Sequence, residues 1–141
     1  MALFSRLQPG EQTHALQMLA ALQVHGETDA DLLVAALLHD VGKQRCLLRL
    51  WARVAIVLVQ ATTPALAQRW GESAMAGCRG WRKPFIVAAQ HPAWGAQLAL
   101  QAGVSPLVAT LIRRHQSLIP ADSTQWEDVL LRKLQAVDEL S

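Results

Sequence analysis

The chain has no tyrosine, two phenylalanines and only 17% Asp, Glu, Lys and Arg among its 141 residues. Scarce charge beside 52% apolar residues excludes a disordered chain, which shows the reverse balance. No excess of one sign is present either, since 13 Lys and Arg against 11 Asp and Glu leave +2. That charge is too small to point to nucleic acid as a partner. Cysteine is nearly absent: Cys46 and Cys78 are too few for a disulfide framework and lack C-x-x-C spacing, which excludes a zinc ribbon or a thioredoxin-type motif. They read as small buried apolar residues in a reducing compartment. The longest uncharged apolar stretch, VAIVLVQATTPALAQ after Arg53, is interrupted by Gln60, two threonines and Pro64. A bilayer span takes roughly 20 apolar residues, so no membrane insertion is expected. The opening MALFSRLQPGEQTHAL lacks a basic segment followed by an apolar one, so it does not read as a signal peptide, and a cytoplasmic protein is expected.

What is present is helical periodicity. Apolar residues recur at three and four positions, and period-2 alternation is almost missing. After Pro9-Gly10, residues Ala15, Leu16, Leu19 and Leu22 mark one face of a helix that Gly26 ends. Thr28 or Asp29 caps the next, which runs through LLVAALLH to Gly42. Its apolar residues lie nearly all round, which places it at the centre. Further helices are expected over about Leu47 to Gln60 and Leu66 to Trp70, with the glycine-rich Gly71–Gly80 segment as a loop or frayed helix. Lys83-Pro84 opens a helix through FIVAAQ, and His91-Pro92 opens another with proline in its first turn. Gly103 ends it, Ser105-Pro106 starts one through LVATLIRRH, and Ser123 or Thr124 caps the last, which runs to about Leu140. The expectation is a single all-α domain over residues 1–141, a bundle of about seven or eight helices.

The chemistry gathers at LLHDVGK, Leu37 to Lys43. A buried charge is costly unless it is paired or binds a metal, so Asp40 beside such a core needs a partner. An imidazole and a carboxylate together suit a divalent ion. Lys43 follows at once, placed to meet an anion. A His-Asp pair alone is an ordinary helix end, but His14, His91, His115 and Asp138 also lie within or beside apolar helical stripes. His25 is left over, as a helix-end residue favoured by the dipole.

The ordered pattern His14…His39-Asp40…Asp138 resembles the HD-domain superfamily of metal-dependent phosphohydrolases. His91 and His115 resemble the subgroup with two further histidines, and LLHDVGK, HPAWGAQLA and LQAVDEL are similar to its wording. The resemblance implies a helical bundle with His14, His39, Asp40 and Asp138 on one metal, and with Asp40 bridging to a second held by His91 and His115. Mn, Fe, Zn, Ni, Co and, less comfortably, Mg suit such ligands. Two ions about 3.5–4 Å apart polarise a phosphoryl oxygen and acidify a water. Asp40 and Lys43 would then be the catalytic residues, with Lys43 also on the substrate phosphate. The implied activity is hydrolysis of a nucleotide-like or other small phosphoester.

Three departures narrow the resemblance. Gln116 stands where close relatives often carry a second adjacent histidine. The GYP signature of the cyclic-di-GMP phosphodiesterase branch and the RxxxD dyad of the nucleotide-synthetase branch are missing. Arg45, Arg79, Arg82, Lys83, Arg113 and Arg114 read either as solvated helix ends or as a phosphate-facing rim, and Arg114 is the candidate substrate contact. Trp94 is the candidate pocket wall, against simple packing. Two other readings compete with the hydrolase: a catalytically silent signalling or binding module, with the stretch around Ile56 as a homodimer surface, and a di-iron oxygenase of the same fold.

Overall fold

The computed structural model describes residues 2–45, 57–71 and 83–140, and among these it is all-helical. The expectations for Cys46, Cys78, Ile56, Arg79 and Arg82 lie outside the described residues, as does most of the helix expected from Leu47. A short 3-10 turn, Phe4–Arg6, leads into α1, Pro9–Val24. Helix α2 covers Ala30–Leu38, and a 3-10 helix follows at Val41–Arg45. Residues 57–62 are helical, and α3 is Pro64–Gly71, α4 Lys83–Gln101, α5 Pro106–Arg114 and α6 Trp126–Leu140.

Local chemistry explains most boundaries. Pro9 stands inside α1 at its start, where its missing N–H costs nothing, and Gln8 and Glu11 close a reciprocal capping box. Asp29 caps α2 by accepting the Leu32 N–H at 2.9 Å. Ser105 does the same for α5 through the Val108 N–H. Gly26 and Gly103, at φ 77° and 84°, take the left-handed turn that stops α1 and α4.

The structure corrects five local expectations. The buried face of α1 is Glu11, Ala15, Met18 and Leu22, while Leu16 is half exposed. Helix α2 stops at Leu38 and not at Gly42, because His39 and Asp40 form a turn into the 3-10 helix. Pro64 opens α3, ahead of Leu66. Helix α4 is continuous through His91-Pro92, where two helices were expected, and carries Pro92 in its interior. Helix α6 starts at Trp126, later than a Ser123 or Thr124 cap allows, and the Ser123 hydroxyl instead donates to Asp128 at 2.5 Å.

Helix α2 lies at the centre as its apolar circumference predicts, with no residue of 32–38 exposed. It packs on α1, α5 and α6, and α4 packs on α3, α5 and the 3-10 helix. Met18, Leu32, Ala96, Leu111, Leu131 and Leu134 are among the residues of one apolar cluster. Among the described residues no helix is long and apolar enough to cross a membrane.

The 3-10 helix meets α4 at backbone distance. A Cβ on Gly42 would stand 1.9 Å from the His91 carbonyl oxygen and 2.7 Å from the Gly95 nitrogen. Gly42 is therefore required for close approach, which brings the chain just after Asp40 against the backbone of His91.

Candidate metal centre

Six side chains converge in two groups: His14, His39 and Asp138, and Asp40, His91 and His115. His14 comes from the middle of α1, and Asp138 from the last turn of α6. His39 and His115 are the residues that end α2 and α5. Asp40 follows His39 in the turn, and His91 lies inside α4. The ligating atoms within each group lie within 4.8 Å of one another.

Asp40 joins the groups. Its Oδ2 is 3.5 Å from His39 Nε2, and its Oδ1 is 3.4 Å from His91 Nε2. His91 Nε2 is 3.3 Å from His115 Nε2. On the other side, Asp138 Oδ1 is 2.9 Å from His14 Nε2 and 3.6 Å from His39 Nε2. His39, Asp40, His91 and His115 are buried, while His14 and Asp138 are partly exposed.

The far sides of the imidazoles decide what these contacts mean. His39 Nδ1 lies 2.9 Å from the Ala36 carbonyl, His115 Nδ1 2.7 Å from Ile112, and His91 Nδ1 2.9 and 3.0 Å from Val87 and Ala88. A carbonyl oxygen only accepts, so each Nδ1 carries the proton. In a neutral ring Nε2 is then a lone pair. Three lone pairs thus face each other and the Asp40 carboxylate, and Lys43 donates to one oxygen of that carboxylate. A proton on one Nε2 would satisfy one such contact. A divalent cation satisfies all of them, so the donor set fits a metal of the imidazole-carboxylate type.

Electrostatics agree with ionised Asp40 and neutral His115. Burial alone would raise the Asp40 carboxyl, but with the imidazoles protonated the His91 hydrogen bond and the charges of His39 and Lys43 outweigh it and hold the group well below the usual carboxylate range; with neutral rings Lys43 is the charge that remains beside it. Burial drives His115 the other way from its ordinary 6.5, down to about 4, against the pull of the Ile112 carbonyl. A neutral imidazole is the form a metal takes.

A cavity of about 330 Å³ opens on this cluster, lined by residues that include Gly10, Glu11, His14, Lys43 and Gln116. Lys43 donates to Asp40 Oδ2 at 2.5 Å and is the cation beside the cluster. Glu11 belongs to none of the sequence motifs above. It is 4% exposed, and its spacing of one turn before His14 puts it on the same face, which is the one sequence signal for it. Gln116 stands on the rim of this cavity and of two neighbours of about 490 and 260 Å³. Arg114 is placed differently from the other candidates, paired with Glu127 and with Asp128 on the first turn of α6. Trp94 is partly buried with the Arg45 guanidinium 5.1 Å above its ring.

No protein-family model, curated protein or solved structure matches this chain. The assignment of a function therefore rests on the sequence pattern and on this geometry.

Proposed function

We propose that the chain is a metal-dependent phosphohydrolase of the HD-domain type, acting on a nucleotide-like or other small phosphoester. The observation that carries this reading is the convergence of four histidines and two aspartates with their acceptor atoms turned on one another, beside a lysine and an open cavity. His14, His39, Asp40 and Asp138 would hold one divalent ion, and Asp40, His91 and His115 a second. When bound, such ions would polarise a phosphoryl oxygen and lower the pKa of a water, so that hydroxide is available at neutral pH to attack the phosphorus and displace the ester oxygen.

The chain's own residues supply the rest. Asp40 offers one oxygen to each group, so it ties the two positions together. Lys43 keeps a positive charge at the edge of the cavity, where it neutralises phosphate and steadies the departing oxygen. The buried carbonyls of Ala36, Val87, Ala88 and Ile112 hold the imidazole rings in place, so little ordering remains to be done when substrate arrives. Trp94 does not line this cavity and lies under the Arg45 guanidinium, so it is left out of the substrate path. Arg114 would reach the substrate only by leaving Glu127 and Asp128.

Metal analysis of the purified protein, followed by a phosphoester panel with Mn²⁺, tests the reading. The expected result is bound metal and hydrolysis that Asp40→Ala abolishes. Tight metal binding with no turnover on any ester would favour the silent module instead. Oxygen consumption by the Fe(II) protein with an organic substrate would favour the oxygenase.

A further inference from the structure

The three buried histidines face the same physical problem and solve it in two ways. Each must give its Nδ1 proton to a carbonyl of its own helix. His39 and His115 stand at helix C-termini, where the last carbonyls have no N–H partner within the helix. Ala36 and Ile112 are such carbonyls, and the rings take them. His91 lies in the interior of α4, where each carbonyl is ordinarily taken by the N–H four residues on. Val87 is the regular acceptor for the His91 backbone N–H. The Val87 oxygen lies 2.9 Å from His91 Nδ1, so the ring can only share it with that N–H, and no open carbonyl should be within reach.

Pro92 changes that. It has no N–H, so it cannot donate to Ala88, four residues before it. The Ala88 carbonyl oxygen lies 3.0 Å from His91 Nδ1. From the facing side, Gly42 packs on the His91 carbonyl so closely that a Cβ there would stand 1.9 Å away. The backbone of His91 is thus pinned on one side and its ring on the other.

We propose that Pro92 is a positioning residue for His91. By leaving the Ala88 carbonyl open, it creates inside a helix the acceptor that His39 and His115 find at helix ends. The ring is thereby held as the Nδ1-protonated tautomer, with the Nε2 lone pair turned to Asp40 and His115. An interior proline weakens a helix, and this arrangement gives the weakness a use. The tautomer follows from the hydrogen bonds alone; its value for binding rests on the metal reading proposed above.

The test is Pro92→Ala in the full chain. The substitution brings a backbone N–H to the Ala88 carbonyl and improves the helix. In metal-free protein at pH 8, nitrogen NMR of the imidazoles should show His91 changing from Nδ1-protonated to a mixture of tautomers, while His115 stays as it was. The Tm should rise. Titration with Mn²⁺ should show the ion of the Asp40, His91 and His115 group losing about tenfold in affinity, the scale of an outer hydrogen bond to a ligating imidazole. A His91 that keeps its tautomer in Pro92→Ala would overturn the proposal. So would a His115 that scrambles together with His91, because the change would then be general loosening. A tautomer change without metal binding in either protein would uphold the positioning role and remove only the metal reading.

Discussion

The two ligand groups share Asp40 as a link and differ in how they are held. Asp40, His91 and His115 are all buried, and both histidines already have their outer nitrogens engaged by carbonyls. His14 and Asp138 have side chains 25% and 31% exposed and lie 2.9 Å apart, paired with each other. The buried group is set before any ion arrives. The outer group pairs internally, and His14 must withdraw from Asp138, with any proton on Nε2 lost, to bind one. Ligand number alone predicts the reverse order of affinity, since the resemblance gives the outer ion four ligands and the inner ion two histidines and a share of Asp40. Preorganisation and ligand number therefore pull against each other here.

The largest effect is expected from removing Asp40, the residue common to both groups. Asp40→Ala should lower kcat/KM by about a thousandfold or more, the scale of several kcal/mol of lost transition-state stabilisation. Circular dichroism should stay helical, and retained activity would be incompatible with the mechanism.

Acid should destabilise the protein through the buried group. Between its ordinary 6.5 and about 4, His115 refuses a proton that the unfolded chain accepts. The unfolded state binds more protons in that window, so stability of the metal-free protein falls as pH is lowered through it. A shift of this size corresponds to about 3 kcal/mol. Urea unfolding at pH 4 and pH 7 with chelator present should show the loss, and His115→Gln should flatten it.

Gly42→Ala sharpens the contrast from the backbone side. Its Cβ has no room beside the His91 carbonyl, and overpacking of this kind costs about 2 kcal/mol or more. At Gly10, where nothing lies within 4 Å of an added Cβ, the same change should stay within about 0.5 kcal/mol. Paired denaturant curves for the two variants would show whether the tight contact or glycine loss in general matters. A modest effect is expected of Arg114→Ala, which frees Glu127 and Asp128 and should lower the Tm by about 3 °C. A raised KM with unchanged Tm would instead place the guanidinium on substrate.

Much of the helical order was readable because its signals are local. Asp29, Ser105, Gly26 and Gly103 act through their own or adjacent backbone, and the structure uses each as its chemistry suggests. The polar residues within apolar stripes were also visible, and the six selected in this way come together. Pro92 misled because proline is commonest at a helix start; what keeps it inside α4 includes an imidazole bond that no propensity scale contains. Gly42 read as a stop signal, although its role is contact with a helix far along the chain. Arg114 read as free to meet phosphate because its partners on α6 are invisible to local pattern. What escaped the sequence was long-range pairing of side chains and backbone.

His14 and Asp138 lie 124 residues apart and touch at 2.9 Å. A ribosome must therefore add 124 residues after His14 before the outer pair can form. The inner trio is encoded by residue 115 and needs nothing from α6 for its own ligands. A nascent chain thus has its buried ligands available well before its exposed ones. Loading of the outer position is tied to the docking of the final helix, so a polypeptide halted short of Asp138 would leave the synthesis machinery with that position incomplete.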